Sequence, residues 1–296
     1  MNRQIITLMR PHQWLKNVVV FTPLFFDRHA AEWSYIWPCI VAFVAFSLAA
    51  IGIYCFNDIR DAEADRLHPT KRMRPIANGA VSKRTAYTAM GIAWTAAFTL
   101  ATLTDFCNGS MPKGLLATLL LYIAMNVAYC VKLKQIALLD VFLIATGFVL
   151  RIVAGGMSAG IILSHWMVLT TFLLALFLAL SKRRDDVAIY EASGIKARKN
   201  VVRYNMDFLN LSIGIMGSIT IMCYILYTVS CEVVERMGSH YLYATSVFVL
   251  AGILRYMQLT LVDQKSGSPT HVLLHDRFVQ ACVMGWIVAF AIILYV

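Results

Sequence analysis

The sequence has few charged residues for its length, and this scarcity excludes several classes of protein. Only 14% of its 296 residues are Asp, Glu, Lys or Arg, whereas a soluble domain carries about 25%. The mean hydropathy is +0.68. Too few charged side chains remain to cover a water-facing surface, which argues against a soluble enzyme, a disordered chain and a secreted disulfide scaffold. The bilayer is therefore the expected solvent.

The sequence also lacks C-x-x-C pairs and the alternating pattern of barrel strands. Most of its seven cysteines sit in apolar runs, where we interpret them as small buried side chains. Long unbroken apolar runs favour helices over barrel strands. At about 20 residues per span, we expect an all-α polytopic membrane protein with about nine transmembrane helices. Their predicted cores are 17–27 (short, with Pro23), 36–56, 85–104, 113–131, 138–158, 163–181, 208–229, 241–261 and 279–296.

Basic residues are distributed unequally between the two sides of this predicted bundle. Of the 26 Lys and Arg, 22 lie at the N-terminus and in alternate connections, against Arg28, Lys113 and Arg236 on the other side. The positive-inside rule then predicts a cell (inner) membrane protein with its N-terminus and polar loops in the cytoplasm. The same rule accounts for the net charge of +10 without nucleic acid as a partner. Most acids share this face, which topology does not require, and this indicates a site for metal and phosphate.

An acidic motif, N-D-I-R-D-A-E-A-D, occupies residues 57–65 after the second apolar run. In a continuing helix, Asn57, Asp61 and Asp65 share one face and Asp58 flanks it. These side chains supply the oxygen ligands that Mg²⁺ prefers. The alternative is a solvated helix end in which neighbouring arginines pair with the acids.

A basic motif, K-R-M-R-P-I-A-N-G, follows at residues 71–79. Lys71, Arg72 and Arg74 place three bases within four residues, next to the predicted metal site. Such a group can clamp phosphate oxygens. The alternative is the ordinary retention of positive charge on the cytoplasmic side.

These two motifs together resemble the first aspartate-rich motif of the UbiA superfamily of intramembrane prenyltransferases. Residues 129–134, followed by L-L-D-V at 138–141, and L-R-I-V-A-G at 150–155 also match the middle spans of that superfamily, so the resemblance covers essentially the whole chain. It implies a single domain over residues 1–296, with nine helices around a central cavity. It also implies cytoplasmic cap loops that bind Mg²⁺ and a diphosphate.

The second aspartate motif of prenyl-transferring members, D-x-x-x-D, is incomplete here. Asp185 and Asp186 are followed four residues later by Ile189 and Tyr190, and three bases at 182–184 precede them. This loop is better suited to extra phosphate charge than to a second metal clamp. The pattern resembles the polyprenyl-phosphate phosphoribosyltransferase branch of the superfamily. Further stretches typical of that branch are R-P-H-Q-W-L-K-N at 10–17, R-Y-N-M-D-F-L at 203–209, G-S-P-T at 267–270 and D-R at 276–277.

The resemblance implies Mg²⁺-dependent transfer of a 5-phosphoribosyl group from phosphoribosyl diphosphate to a decaprenyl-type polyprenyl phosphate, for cell-envelope lipid-linked sugar synthesis. The donor carries phosphate at both ends of its ribose, so it needs both a metal and a basic pocket. The candidate catalytic residues are Asp58, Asp61, Asp65 and Lys16, and the candidate metal ligands are Asn57, Asp58, Asp61 and Asp65. The candidate substrate-binding residues are Lys16, Lys71, Arg72, Arg74, Tyr129, Lys132, Arg151, Lys182, Arg183, Arg184, Asp186 and Tyr190.

Several alternatives stay open from the sequence. A prenyltransferase acting on an aromatic acceptor would share the fold and the first motif, and a transporter or a lipid-binding protein would share the spans. Arg151 lies within an apolar run, where a cation usually faces an internal cavity. Three alternatives are open for its partner: an acceptor phosphate, Asp140, or backbone carbonyls. The oligomeric state is undefined by the sequence.

Overall fold

The computed structural model describes residues 3–27, 29, 31–67, 71–107, 114–194, 199–264 and 269–295. Several residues used in the topology prediction and in the signature stretches lie outside these ranges. They are Arg28, Lys113, Lys196, Arg198, Lys265, Gly267 and Ser268.

The described part of the chain is all-helical, as the apolar runs predict. A helix satisfies every backbone polar group within one segment, which the bilayer interior requires. The α-helices are α1 (Arg3–Met9), α2 (Thr22–Phe26), α3 (Trp33–Arg66), α4 (Lys83–Cys107), α5 (Leu115–Val131), α6 (Leu139–Ala159), α7 (His165–Ser193), α8 (Met206–Val229), α9 (Cys231–Met237), α10 (Ser246–Leu261), α11 (Pro269–His275) and α12 (Arg277–Tyr295). Short 3-10 helices cover Pro11–Phe21, Lys71–Met73, Leu133–Gln135, Lys199–Arg203 and Tyr241–Thr245.

Seven helical segments in the described ranges are long and apolar enough to cross a membrane. They are α3, α4, α6, α7, α8, α12 and the segment Tyr241–Leu261, in which a 3-10 helix continues directly into α10. The protein is therefore an integral membrane protein. Helix α5 is apolar but shorter, with 17 residues. The predicted count of nine spans is not confirmed, because the first predicted span, 17–27, consists of the end of a 3-10 helix and the five-residue helix α2. Pro23 lies at the start of α2, where it donates no backbone hydrogen bond.

Polar residues define the helix ends between the apolar runs. The side chains of Ser164 and Asn205 accept hydrogen bonds from backbone N–H groups in the first turns of α7 and α8. Gly194 ends α7 with φ of +68°, a left-handed conformation that favours glycine. The carboxylate of Asp105 accepts hydrogen bonds from three backbone N–H groups at the start of α5. These groups satisfy backbone polar atoms at the ends of α5, α7 and α8, where the sequence turns polar.

Helix α3 is the longest element and carries the acidic motif at its C-terminal end. Its 34 residues correspond to about 51 Å, well beyond the ~30 Å hydrocarbon core of a bilayer. The last turns of α3 can therefore lie outside the hydrocarbon. Helix α4 packs closely on α3, because a Cβ at Gly52 would overlap the indole of Trp94, whose Nε1 donates to the Ala49 carbonyl over 3.2 Å.

The chain forms two compact units. The N-terminal unit consists of Met1–Leu133 and Gly147–Leu163, and the C-terminal unit of Lys134–Thr146 and Ser164–Val296. In the N-terminal unit, α3 packs against α4, α5 and the 3-10 helix Pro11–Phe21. In the C-terminal unit, α7 packs against α8, and both α8 and α12 pack against α10.

Candidate active site

The acidic motif of α3 places two carboxylates on the inner face of the helix. Asp58 is 2% exposed and Asp65 is 5% exposed. They are seven residues apart, which is nearly two helical turns, so they share a face. The sequence analysis placed Asp58 at the flank of the acidic face, whereas the structure buries it together with Asp65. Asn57 and Asp61 are partly buried beside them.

Arg74 bridges the two buried carboxylates. Its Nη1 lies 2.7 Å from Asp65 Oδ2 and 3.2 Å from Asp58 Oδ1. The segment after α3 folds back to bring Arg74 there, since Arg66 Nε donates to the Ala77 carbonyl over 3.1 Å. Arg74 is a predicted phosphate-binding residue, and in the structure its guanidinium neutralises the acids.

Arg10 is a second counter-ion, which the sequence analysis did not include among the site residues. Its Nη2 lies 2.5 Å from Asp58 Oδ1, and its guanidinium lies 5.1 Å from the centre of the Tyr54 ring. The backbone of Arg10 has φ of +50°. This left-handed conformation is uncommon for residues other than Gly, Asn or Asp. The Arg-Pro pair at positions 10 and 11 is the sequence feature that could have drawn attention to Arg10, because a residue before proline often marks a break in a helix.

The donor set of this acidic face suits a hard divalent cation. Asp58 Oδ2 is buried and has no hydrogen-bond partner, so one carboxylate oxygen is available to a ligand. In the described ranges, no group of three or more His, Cys, Asp or Glu side chains is already arranged around a metal position. Two arginines supply the positive charge there. The residues therefore fit Mg²⁺ by their chemistry, provided that Arg74 can yield its place.

Other predicted substrate-binding residues of the N-terminal unit differ in accessibility. Arg72 and Lys132 are exposed. Lys16, Lys71 and Tyr129 are partly buried, and each makes contacts with other groups of the protein.

Arg151 is buried within α6, with 7% of its surface exposed. Its guanidinium donates to Asn17 Oδ1 over 2.7 Å, to the Gly147 carbonyl over 2.6 Å and to the Tyr122 hydroxyl over 2.8 Å. The Gly147 carbonyl is thus one of its partners, which agrees with the alternative in the sequence analysis that Arg151 binds backbone carbonyls. The alternative of a pair with Asp140 is wrong, because Asp140 binds other groups of the C-terminal unit.

In the C-terminal unit, Arg183 lies at the centre of a buried ionic cluster. Its side chain is 1% exposed, and its Nε lies 2.8 Å from Oδ2 of the fully buried Asp140. It also pairs with Asp186, one turn later on α7. The Tyr204 hydroxyl donates to Asp140 Oδ1 over 2.8 Å and accepts from the backbone N–H of Leu138 over 2.7 Å. Burial raises the pKa of Tyr204 well above its usual value, so the phenol stays a donor.

Arg184 is also held by protein groups. It is 4% exposed and donates to Asn210 Oδ1 over 2.7 Å and to the Thr260 carbonyl over 2.6 Å. The Thr260 carbonyl lies near the C-terminal end of α10, where a cation is favourable. Arg183 and Arg184 therefore connect elements of this unit. Lys182 and Tyr190, the other candidates on this stretch of α7, are partly buried.

Comparison with known proteins relates the chain to a family of membrane enzymes. Residues 24–278 match the UbiA prenyltransferase family. The decaprenyl-phosphate phosphoribosyltransferase of Mycolicibacterium smegmatis is 34% identical over 293 residues, covering 96% of this chain and 90% of that protein. The enzyme of the same name from Corynebacterium glutamicum is 33% identical over 297 residues, covering 99% of this chain and 87% of that protein.

Solved structures resemble the fold at low sequence identity. A UbiA homologue from Archaeoglobus fulgidus bound to GPP and Mg²⁺ has a TM-score of 0.70 and 18% identity, covering 99% of this chain and 100% of that chain. An apo UbiA homologue from Aeropyrum pernix K1 has a TM-score of 0.64 and 15% identity, covering 99% of both chains. At these identities the likeness establishes the fold alone.

Proposed function

Because the chain belongs to the UbiA prenyltransferase family, we propose that it transfers a 5-phosphoribosyl group from phosphoribosyl diphosphate to a polyprenyl phosphate. The names of relatives that are 33% and 34% identical over nearly the whole chain support this activity. The incomplete second aspartate motif also supports it, because Asp186 is paired with Arg183. We propose that the chain is one domain, with the acidic face in the cytoplasm and the spans in the inner membrane.

The acidic face is the proposed site of the donor diphosphate. Asn57, Asp58, Asp61 and Asp65 would hold Mg²⁺ there, and the unpartnered Asp58 Oδ2 is the observation that supports this best. The cation would neutralise charge on the departing diphosphate. Arg10 and Arg74, which neutralise the acids in the structure, are then available to the phosphate oxygens.

The other bases of the N-terminal unit would bind the remaining phosphate charge. Lys16 and Lys71 are partly buried and Arg72 is exposed, so none of the three is fully enclosed by the protein. Tyr129 and Lys132 are proposed for the acceptor. For Lys182, Arg183 and Arg184 phosphate binding remains a prediction, and the contacts of the two arginines favour a positioning role.

The chemistry needs little from the protein beyond positioning and electrostatic stabilisation. The acceptor phosphate is largely dianionic at neutral pH, with a second pKa near 6, so no general base is required. One of its oxygens forms a bond to the anomeric carbon of ribose while the bond from that carbon to the diphosphate oxygen breaks. The attack from the opposite face inverts the anomeric configuration. Bases around the acidic face hold both anions in line and exclude water.

The decisive experiment offers competing substrates to the purified protein. The protein in detergent receives polyprenyl phosphate with phosphoribosyl diphosphate, or an aromatic acceptor with a prenyl diphosphate, each with MgCl₂. Mass spectrometry of the products should detect a phosphoribosylated lipid and no prenylated aromatic compound. A prenylated aromatic product would instead support quinone-type synthesis and reject the proposal.

Variants of the acidic face test the metal assignment. Asp65→Asn and Asp61→Asn should each lower turnover by about 100-fold or more, because each removes a charge that would stabilise the bound cation. Glu63→Gln is the matched control, since Glu63 is exposed on the same helix, and its turnover should stay within about twofold. Full activity of Asp65→Asn, or of the wild type in excess chelator, would reject the metal site.

A further inference from the structure

Arg151 is a cation buried inside a membrane-spanning helix. It lies 12 residues after the first residue of α6, about 18 Å along the helix axis. A charged side chain at such a depth is costly unless it faces partners or a cavity. The groups that surround its charge therefore indicate whether Arg151 has a functional role.

The hydrogen-bond partners of Arg151 among the described residues are neutral. They are the Asn17 amide, the Gly147 carbonyl and the Tyr122 hydroxyl, at 2.6–2.8 Å. The Asn17 amide is itself oriented, because its Nδ2 donates to Ser47 Oγ over 3.0 Å. The guanidinium is also within reach of the Tyr122 ring, 4.9 Å from its centre. These contacts hold the guanidinium in place without neutralising it.

Four other arginines, Arg10, Arg74, Arg183 and Arg255, each form an ion pair with an aspartate. Arg151 forms none in the described ranges, and it differs from the buried Arg184, which also binds neutral groups, in lying near the middle of a membrane-spanning helix. A guanidinium has five N–H donors, and three hydrogen bonds of Arg151 are formed. Each guanidinium nitrogen of Arg151 thus donates one hydrogen bond, and within the described ranges the cluster of Arg151, Asn17, Tyr122 and Ser47 is a positive site without a carboxylate.

This cluster is connected to the acidic face within the N-terminal unit. Ser47 of the cluster and Asp58 of the acidic face both belong to α3, and Arg10, the counter-ion of Asp58, lies 5.1 Å from the centre of the Tyr54 ring between them. Asn17 directly follows Lys16, a candidate catalytic residue. The acidic face and the Arg151 cluster therefore lie along the same helix within one unit.

We propose that the Arg151 cluster binds a phosphate group of a substrate inside the membrane-spanning region. The proposal rests on the function proposed above and assigns one of its phosphates. The phosphate of the lipid acceptor is favoured, because a lipid tail can carry its anion into the hydrocarbon depth at which Arg151 lies. The monophosphate of the donor has the same chemistry, and the two sources give different results below.

Asn17→Asp is the most informative variant. It keeps the shape of the side chain and the hydrogen bond from Arg151 Nε, but it supplies the missing counter-charge. The guanidinium should then bind a phosphate at least about 10-fold less tightly, although the fold is as stable as the wild type or more so. A residue with only a structural role predicts unchanged substrate binding in this variant.

Steady-state kinetics separate the two phosphates. In Asn17→Asp, a KM raised about 10-fold or more for polyprenyl phosphate alone assigns the site to the acceptor. The same increase for phosphoribosyl diphosphate alone assigns it to the donor. Asn126→Asp is the matched control, because it adds the same charge on α5, where the amide donates to the Tyr122 backbone carbonyl. Unchanged KM values for both substrates in a folded Asn17→Asp protein would overturn the proposal.

Two further measurements keep this test independent of the proposed function. Arg151→Lys should retain part of the affinity and Arg151→Met should lose it, and a folded Arg151→Met protein with wild-type KM values would contradict the proposal. Thermal shift with polyprenyl phosphate alone needs no turnover. If the wild type makes no phosphoribosylated lipid, the proposed function fails. The Arg151 site is then supported only if the lipid raises Tm in the wild type but not in Asn17→Asp.

Discussion

The two units of the protein differ in how far their paired arginines are buried. In the N-terminal unit, Arg74 and Arg10 bind Asp58 with side chains that are 25% and 21% exposed, and an oxygen of that aspartate has no partner. In the C-terminal unit, Arg183 is 1% exposed and is enclosed by Asp140 and Asp186. The first arrangement can exchange its counter-ions, while the second has no room to do so. Basic residues that look equivalent in the sequence therefore differ in burial and in the carboxylates that surround them.

The largest effect on stability is expected from breaking the enclosed cluster. Arg183→Met leaves Asp140 buried without its counter-charge, which should lower the free energy of unfolding by about 3–5 kcal/mol. Thermal unfolding in detergent measures this loss. The double variant Arg183→Met/Asp140→Asn should recover much of it, because the unpaired charge is removed. Equal stability of the single variant and the wild type would reject the contrast between the two units.

A close backbone approach in the N-terminal unit should give the next effect. A Cβ at Gly155 of α6 would overlap the carbonyl oxygen of Val20, and a backbone atom cannot move aside cheaply. Gly155→Ala should therefore cost about 1–3 kcal/mol and loosen the 3-10 helix that presents Asn17 to Arg151. Gly91→Ala is the control, because no atom lies within 4 Å of a Cβ at that position on α4. A loss of Tm confined to Gly155→Ala is expected, and equal Tm values for both variants would contradict this packing.

Arg74→Gln should affect activity more than stability. Its side chain is one quarter exposed and Asp58 keeps Arg10 as a partner, but the buried Asp65 loses the charge of Arg74. The Gln amide can still donate one hydrogen bond to Asp65, so the loss of stability should be about 1–2 kcal/mol. Turnover should fall by about 10-fold or more, because a charge near the departing diphosphate is removed. Mg²⁺ should raise the Tm of this variant more than that of the wild type, since its acids lack one counter-ion. The exposed Arg84→Gln serves as the control, and identical Mg²⁺ shifts in all three proteins would contradict an exchangeable Arg74.

The smallest effect is expected at the pair between Arg255 and Asp276. The hydrogen bond from Arg255 lowers the pKa of Asp276, so the carboxylate stabilises the folded state above its unfolded-state pKa. This contribution is lost as the pH falls through the lowered folded-state pKa. Asp276→Asn should lower Tm by about 2 °C or less at pH 7, with the difference from the wild type disappearing in strong acid. A constant difference across the acid range would show that the charge of Asp276 is not its cause.

The sequence predicted the helical class and the family from local signals. Long apolar runs can be satisfied only as helices in a bilayer, and the acidic and basic motifs identified the end of α3 as the candidate site. The short segment at 17–27 was overestimated as a span, because an apolar run with a proline near its middle has no unique helical form. The partners of the arginines were also beyond prediction, since Arg10 and Asp58 are 48 residues apart along the chain.

The sequence by itself determined the helical class, and it predicted which charges gather at one surface, because hydropathy and positive charge act locally along the chain. Only the tertiary structure decided how these charges are used. It paired Arg183 with Asp140, placed Arg74 between Asp58 and Asp65, and left Arg151 among neutral groups. The reason is that the energy of a buried charge depends on its neighbours within a few ångströms, and distant segments of the chain supply those neighbours.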